Sequence, residues 1–366
     1  MFCRDNINNR NSRADIIRLV ALACLIIVHF ILRNELYQCE VRGLPWILIC
    51  MVRSIGMCCI PLFLMLTGYL MGGKTYEKGY YKKITRTLVI YFMASIVIWI
   101  YKVMALEESI NVHGFLTKVL KFEGSPYAWY VEMYIGLFLL SPFLNYMYNA
   151  LSSEGKRNLV ITMLVLTAAP SFFNVYKGLD ISWWRAPCGN GDYHKIIPSW
   201  WTNLYPMTYY FLGVWIKEKK TKVNAVINSV LIVLAIFLFG MYNFWRSRGS
   251  IFIWGEWQDW GSWMNLVLGS LIFIRIVSMK ETENVALKKA LKVLSEAAFG
   301  AYLLSWIPET IIYNLLMARE PIIVKRIMYY PLVIVVYVAA LTLSLGMSGI
   351  YDLLKRAYQR IRRGAK

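Results

Sequence analysis

The sequence predicts an all-α fold: a polytopic membrane helix bundle with about ten transmembrane helices and both termini in the cytoplasm. The composition is 58% hydrophobic and only 17% charged, which is more apolar than a soluble globular domain. Apolar runs of membrane-spanning length recur along the chain, and lysine and arginine gather in alternate breaks between them. We therefore expect residues 1–366 to form a single integral membrane domain.

Ten segments approach the roughly 20 apolar residues that a helix needs to cross the hydrocarbon layer. They run near residues 14–33, 44–71, 84–104, 128–148, 158–175, 204–217, 225–245, 263–279, 295–317 and 328–351. The second is long enough to be tilted or broken around Pro61. The first is not expected to be a cleaved signal peptide, because it contains ionisable residues and lacks a small-residue cleavage site.

The distribution of basic residues predicts the topology. With ten spans, the breaks on the side of the termini hold twenty-three Lys and Arg residues, and the opposite breaks hold twelve. The positive-inside rule therefore places both termini in the cytoplasm. Because these breaks account for most of the net charge of +19, we expect a lipid bilayer as partner and no nucleic acid.

Several polar features are weak candidates for chemistry. The seven cysteines form no Cys-x-x-Cys pair and no Cys/His metal spacing, so neither a metal site nor a disulfide framework is expected; they are residues 3, 24, 39, 50, 58, 59 and 188. His113, His194 and the GNGD sequence at 189–192 lie in outer loops without a nucleophile motif, which favours ordinary surface roles. The tryptophans of the outer loops suit either an interfacial belt or a surface on which sugars stack.

Ionisable side chains inside apolar segments are costly unless they are paired or face water, so each is a functional candidate. At the rise of an α-helix, Arg18 and His29 lie about 16 Å apart on the first segment. Arg18 then lies near the cytoplasmic face, with Lys83 and Arg86, which open the third segment one turn apart. This cationic mouth suits a phosphorylated cytosolic ligand, because arginine binds phosphate bidentately. Alternatively, the three side chains snorkel as topology markers, and Asp15 pairs with Arg18.

A second group lies toward the outside: His29, Glu132 in the fourth segment and Glu309 in the ninth. A histidine whose tautomer is fixed by a carboxylate suits a general base that acts on a hydroxyl presented from outside. Arg53, near the middle of the second segment, is a candidate for stabilising an oxyanion. The alternatives are a satisfied core histidine and carboxylates that only tie helices together.

Six motifs follow one another along this frame of ten segments. They are the Asp15-x-x-Arg18 start with His29 beyond it, GMCCIPLFLMLTGYLM at 56–71, KKITR at 82–86, AWYVEMYIGLFLLSP at 128–142, YYFLGVWI at 209–216 and LSEAAFGAYLLSWI at 294–307. In this order they resemble the acyltransferase-3 family of integral membrane acyltransferases over essentially the whole chain. The chain resembles the stand-alone type, without an appended extracytoplasmic hydrolase-like domain.

The resemblance implies roles for particular residues. It makes Arg18 and His29 an essential pair and places Lys83 and Arg86 in a basic motif. The chain departs from the family's pattern at two positions, with Lys83 in place of an arginine and Ser305 in place of a late histidine. The second departure leaves His29 as the only clear intramembrane histidine, which argues against a mechanism that needs two.

The same resemblance implies transfer of an acyl group, usually acetyl from acetyl-CoA, to hydroxyls of surface polysaccharides or lipid-linked glycans. We therefore expect an O-acyltransferase of a bacterial cytoplasmic membrane that uses acyl-CoA as donor substrate and holds no tightly bound cofactor or metal. The predicted donor-binding residues are Arg18, Arg53, Lys83 and Arg86, and the predicted catalytic residues are Arg18, His29, Glu132 and Glu309. The alternative is a transporter or flippase for a small polar or glycan-type molecule, since intramembrane charges also serve permeation. The sequence leaves the acceptor sugar and a homo-oligomer open.

Overall fold

The structure, a computed structural model, describes residues 10–187, 193–221 and 223–364, with side chains described as far as residue 353. Outside the described part lie Cys3, Cys188, the GNGD sequence, Arg4, Lys222 and the side chains of the basic tail from Lys355 onward. The five described cysteines form no disulfide with one another. His113 and His194 both have exposed side chains.

The described residues fold into α-helices joined by short 3-10 turns and loops, without a β-strand. The helices are α1 Ser12–Arg33, α2 Gly43–Gly56, α3 Cys59–Met71, α4 Thr85–Ala105, α5 Val112–Leu120, α6 Trp129–Ala150, α7 Ser153–Thr167, α8 Pro170–Phe173, α9 Ile181–Arg185, α10 Tyr205–Lys219, α11 Ala225–Ser247, α12 Trp263–Val277, α13 Val285–Leu304, α14 Trp306–Arg319 and α15 Leu332–Gly364. The predicted all-α fold is confirmed.

Six helical stretches of the described chain are long and apolar enough to cross a membrane. They are Ser12–Arg33, Gly43–Met71, Tyr80–Ala105, Ala225–Ser247, Glu256–Val277 and Leu332–Leu353, and the bent pair α13 and α14 adds a seventh if it counts as one span. Two further predicted spans contain α7 and α10, of 15 residues each, which extend only about 22 Å. The chain is a multi-pass membrane protein, while ten spans and cytoplasmic termini stay predictions.

Two of the predicted segments are broken near prolines. The second segment stops at Gly56 and restarts at Cys59, which puts Pro61 in the first turn of α3, where its missing N–H is tolerated. The predicted ninth segment, 295–317, is divided between two helices, α13 and α14. It bends by 59° at Ser305, because Pro308 in the first turn of α14 cannot continue the backbone ladder of α13.

Helix α1 lies at the centre of the bundle. It packs against α2, α3, α12, α13, α14 and α15, and Ile17, Ala21, Leu22 and Ile26 along it are completely buried. Both ends of α1 therefore contact other helices rather than lipid alone.

Helices α3 and α10 approach each other closely at two glycines. A Cβ on Gly68 would collide with the carbonyl of Tyr210, and a Cβ on Gly213 would collide with the carbonyl of Met65. Small residues allow such close backbone contact between membrane helices. Two segments that resemble family motifs, 56–71 and 209–216, thus pack directly together.

Candidate active site

His29 and Glu309 form a buried pair near the C-terminal end of α1. Nδ1 of His29 lies 2.8 Å from Oε1 of Glu309, and the two side chains belong to residues that are 9% and 0% exposed. Because a carboxylate oxygen accepts hydrogen bonds, this contact assigns the hydrogen to Nδ1 of His29, which donates it. Nε2 is then the basic nitrogen, which is the arrangement of a general base held by a carboxylate.

The bend between α13 and α14 positions Glu309. The carboxylate lies in the first turn of α14, where the helix dipole favours a negative charge. The backbone N–H of Glu309 donates to the carbonyl of Ser305 at 3.0 Å. Since Ser305 is the bend residue, the side chain of Glu309 turns toward α1 at the point where α13 ends.

Tyr127, just before α6, completes the group. Its hydroxyl donates to Oε2 of Glu309, and its ring centroid lies 3.9 Å from that of His29. Burial and the Glu309 carboxylate raise the pKa of Tyr127 well above its ordinary value, so the phenol stays protonated and donates. We call His29, Glu309 and Tyr127 the histidine centre.

The segment that carries Tyr127 is tied to α13. Tyr302 donates its hydroxyl to the carbonyl of Tyr127, and Ser125 Oγ donates to the carbonyl of Leu303 at 3.0 Å. Ser305 Oγ donates to the carbonyl of Tyr302 at 3.0 Å, and Ser305 is completely buried. The hydroxyl of Ser305, at the position of the late motif, therefore bonds to backbone at the helix bend.

A cavity of about 800 Å³ lies at the other end of α1. Its charged lining residues are Arg10, Asp15, Arg18, Arg86 and Glu296, and its aromatic lining residues are Phe63, Tyr130, Tyr134 and Phe299. We call it the arginine cavity. With three guanidinium groups and two carboxylates, its described lining carries a net positive charge, which favours anionic ligands.

Asp15 organises the arginines of this cavity. Its Oδ2 accepts from Nε of Arg10 at 2.7 Å, and its Oδ1 accepts from Arg18 at 2.9 Å and from Ser295 at 2.6 Å. Arg10 also binds Glu296 at 2.8 Å. The side chain of Arg18 is 32% exposed and uses NH1 alone for Asp15, so its other N–H groups can reach a ligand. The predicted Asp15–Arg18 pair is therefore present as part of a larger network.

Lys83 and Glu132 lie outside both centres. Lys83 belongs to the short 3-10 helix Tyr80–Ile84, which precedes α4. Its ammonium group lies 5.5 Å from the ring centroid of Tyr80, its side chain is exposed, and it does not line the cavity. Because α4 begins only after Lys83, the basic motif does not form one helical face. Glu132 is exposed on α6, so Glu309 is the carboxylate that meets His29.

Arg53 lies at the end of α2 in a separate aromatic pocket. It is buried, Nε donates to the hydroxyl of Tyr37 at 2.9 Å, and the guanidinium lies 4.9 Å from the ring centroids of Phe252 and Trp254. In the described structure, no hydrogen bond joins Arg53 to His29 or Glu309. These contacts tie α2 to the loop that follows α11.

Three tyrosines connect the arginine cavity to His29. Tyr130 lines the cavity and meets Tyr302 edge-on at a centroid distance of 6.0 Å. Tyr302 holds the backbone of Tyr127, whose ring covers His29. A chain of contacts between tyrosines therefore links the two centres.

Sequence reasoning missed Tyr127, Arg10 and Arg33 as members of these two regions. Tyr127 is one of 25 tyrosines and carries no charge that lipid would reject. Arg10 precedes α1 and Arg33 is its last residue, and both were counted among the basic residues that indicate topology. Arg33 lies four residues after His29 and donates to Oγ1 of Thr310 at 3.0 Å. The signal that could have found Arg33 is this one-turn spacing from the candidate base.

A family model described as an acyltransferase domain matches residues 11–349. The matched range begins just before α1 and ends within α15, so it contains the histidine centre and nearly all of the lining of the arginine cavity. No curated protein and no solved structure matches the chain.

Proposed function

The chain belongs to the acyltransferase-3 family, and we propose that it is an acyl-CoA-dependent O-acyltransferase. In this proposal it transfers an acyl group, expected to be acetyl, to a hydroxyl of a cell-surface glycan or lipid-linked saccharide. The observation that carries the proposal is the His29–Glu309 pair, buried and joined at 2.8 Å. That pair leaves one ring nitrogen available as a base.

The proposed reaction is a single proton-coupled acyl transfer. Nε2 of His29 takes the proton from the acceptor hydroxyl as the hydroxyl oxygen attacks the carbonyl carbon of the thioester. The new C–O bond forms, the C–S bond breaks, and the imidazolium returns the proton to the sulfur of CoA. Glu309 stabilises the transient imidazolium, as a carboxylate does in other acid–base pairs. The products are an ester and the free thiol of CoA.

The arginine cavity is the proposed donor site. Arg18 and Arg86 line it, and guanidinium groups bind phosphate oxygens in charge-assisted pairs. The aromatic wall at Phe63 and Tyr130 would hold the long pantetheine arm that carries the thioester. This arm has to cover the roughly 16 Å along α1 between Arg18 and His29 and to pass Tyr130 and Tyr302.

A covalent relay is the mechanistic alternative. Nε2 of His29 would first attack the thioester itself and carry the acyl group until the acceptor binds. Direct transfer requires both substrates to be bound together, whereas the relay leaves an acyl-histidine when the acceptor is absent. Intact-mass measurement after incubation with acetyl-CoA alone distinguishes the two routes.

The proposed setting is the cytoplasmic membrane of a bacterium. Acyl-CoA would enter from the cytosol at the Arg18 end of α1, and the glycan acceptor would meet His29 from the outer side. This orientation follows from the predicted positive-inside topology. Partners in the proposal are the lipid bilayer, acyl-CoA and the glycan, with a homo-oligomer left open.

Substitution of His29 tests the proposed function. Purified protein in detergent is supplied with acetyl-CoA and a lipid-linked glycan fraction, and ester formation and free CoA are measured. His29→Ala should lower the rate at least about 100-fold, while His113→Ala, on an exposed loop histidine, should match the wild type. Full activity of His29→Ala at normal protein levels would overturn the proposal. Consumption of acetyl-CoA only when the glycan is present would exclude a transporter.

A further inference from the structure

Two hydrogen-bond donors without partners lie beside the histidine centre. Arg33 follows His29 by four residues on α1, and Tyr313 follows Glu309 by four residues on α14. Since four residues are about one helical turn, each donor shares a helix face with a member of the pair. Nε of Arg33 and the hydroxyl oxygen of Tyr313 are both buried and have no hydrogen-bond partner among the described residues.

The side chain of Arg33 reaches back toward the level of the histidine centre. Helical side chains tilt toward the N-terminus of their helix. In agreement, NH2 of Arg33 donates at 3.0 Å to Oγ1 of Thr310, the neighbour of Glu309 in sequence. The ring of Tyr313 is completely buried and meets Phe30 edge-on at a centroid distance of 5.5 Å. Both donors therefore belong to the α1–α14 contact that holds the base.

In the described structure, the charge of Arg33 lies near that of Glu309 without contacting it directly, since both charges act on Tyr127. Arg33 takes part in no ion pair there, and both oxygens of Glu309 are occupied by His29 and Tyr127. An Nε–H that is buried without a partner is unfavourable until an acceptor binds it. The position therefore favours a ligand or a reaction intermediate that brings a hydrogen-bond acceptor to it.

We propose that Arg33 and Tyr313 form the oxyanion site of the acyl transfer. This inference rests on the proposed function. When the acceptor oxygen attacks, the electron pair of the C=O bond moves onto the carbonyl oxygen. Nε–H of Arg33 and O–H of Tyr313 donate to that oxygen until the pair returns and the C–S bond breaks. Donors aimed at charge that exists only in the transition state raise kcat rather than substrate affinity. Arg53 also has a buried NH2 group without a partner, but its contacts are with Tyr37, Phe252 and Trp254 rather than with the histidine centre, so we do not assign it this role.

The test compares Arg33→Gln with Thr310→Val in the full-length protein. Arg33→Gln removes the charge, and we expect kcat to fall about 100-fold while KM for acetyl-CoA and for the glycan changes less than about threefold. Thr310→Val removes the hydrogen bond to Arg33 but keeps the guanidinium, so kcat should stay within about threefold. Arg33→Lys should recover part of the loss. Tyr313→Phe, which preserves the packing, should lower kcat about tenfold.

The outcomes separate this inference from the proposed function. Equal kcat losses in Arg33→Gln and Thr310→Val would show that Arg33 only positions α14, which overturns the oxyanion role. A raised KM for the glycan with unchanged kcat would also overturn it, because it assigns Arg33 to substrate binding. If His29→Ala is inactive while Arg33→Gln and Tyr313→Phe are fully active, the proposed function stands and only the oxyanion site is wrong. Absence of acyl transfer by the wild-type protein would overturn both the oxyanion site and the proposed function.

Discussion

The two ends of α1 differ in how they are built. At its N-terminal end, the arginine cavity is an open space of about 800 Å³ in which Arg18 keeps a third of its side chain exposed. At its C-terminal end, Glu309 is completely buried and both of its oxygens accept hydrogen bonds. One helix thus joins a charged cavity that solvent reaches to a buried hydrogen-bonded centre.

This difference suggests a division of labour. The guanidinium side chains of Arg10 and Arg18 are 15% and 32% exposed around the buried Asp15, so the cavity can present cationic N–H groups to a phosphorylated ligand. Buried hydrogen bonds in a medium of low dielectric constant are strong and directional, which suits groups that must hold reacting atoms in place. Substitutions in the histidine centre should therefore change kcat, and those in the arginine cavity should change donor affinity.

The largest effect is expected from Glu309→Gln. The substitution keeps the shape of the side chain but removes the charge that orients His29 and stabilises its imidazolium, so kcat should fall about 1000-fold. Steady-state transfer assays with acetyl-CoA measure this. The matched control is Glu132→Gln, on an exposed carboxylate of α6, which should stay within about twofold. Similar losses of kcat in both variants would contradict the assignment of Glu309 as the carboxylate that orients His29.

Arg86→Ala tests the role of the arginine cavity. Because a charge-assisted hydrogen bond contributes about 1.5–3 kcal/mol, we expect the affinity for acetyl-CoA to fall about tenfold to a hundredfold, with kcat at saturation within about twofold. Titration calorimetry on the solubilised protein measures the affinity. Lys83→Ala is the control, since Lys83 is exposed and does not line the cavity. Unchanged affinity in Arg86→Ala would remove the arginine from the donor site.

The smallest effect is expected from Tyr127→Phe. This change removes the hydroxyl that donates to Glu309 but keeps the ring on His29. A single hydrogen bond contributes about 0.5–1.5 kcal/mol, so kcat should fall about threefold to tenfold without a change in KM. Tyr146→Phe, on an exposed tyrosine of α6, serves as control. If KM for acetyl-CoA rose instead, Tyr127 would belong to the donor path.

The sequence was informative about depth along each helix. Arg18 and His29 were predicted at opposite ends of α1, and the structure places them in the arginine cavity and the histidine centre. The sequence was less informative about which way each side chain faces around the axis of its helix. Glu132 and Glu309 were equal candidates to orient His29, yet one is exposed and the other completely buried. Lys83 and Arg86 were expected to share a face, but only Arg86 lines the cavity.

Interruptions of the helices were the second source of error. Pro308 is visible in the sequence, but a proline in the first turn of a helix and one at a kink look alike. The 59° bend at Ser305 is what turns Glu309 toward α1. Tyr127 could not have been selected, because its role depends on tertiary contacts with Tyr302 and Glu309 rather than on a local pattern.

By itself, the sequence determined that the protein is helical, that it crosses a membrane several times, and how far apart along α1 the arginine and the histidine lie. These properties follow from local quantities: the length of apolar runs and the rise per residue. Only the tertiary structure decided which ionisable groups meet. The helices of this bundle are apolar on nearly all sides, so hydrophobicity cannot distinguish a face that meets lipid from one that meets protein. Packing between helices sets that rotation, and it brings Glu309, Tyr127 and Arg33 to His29.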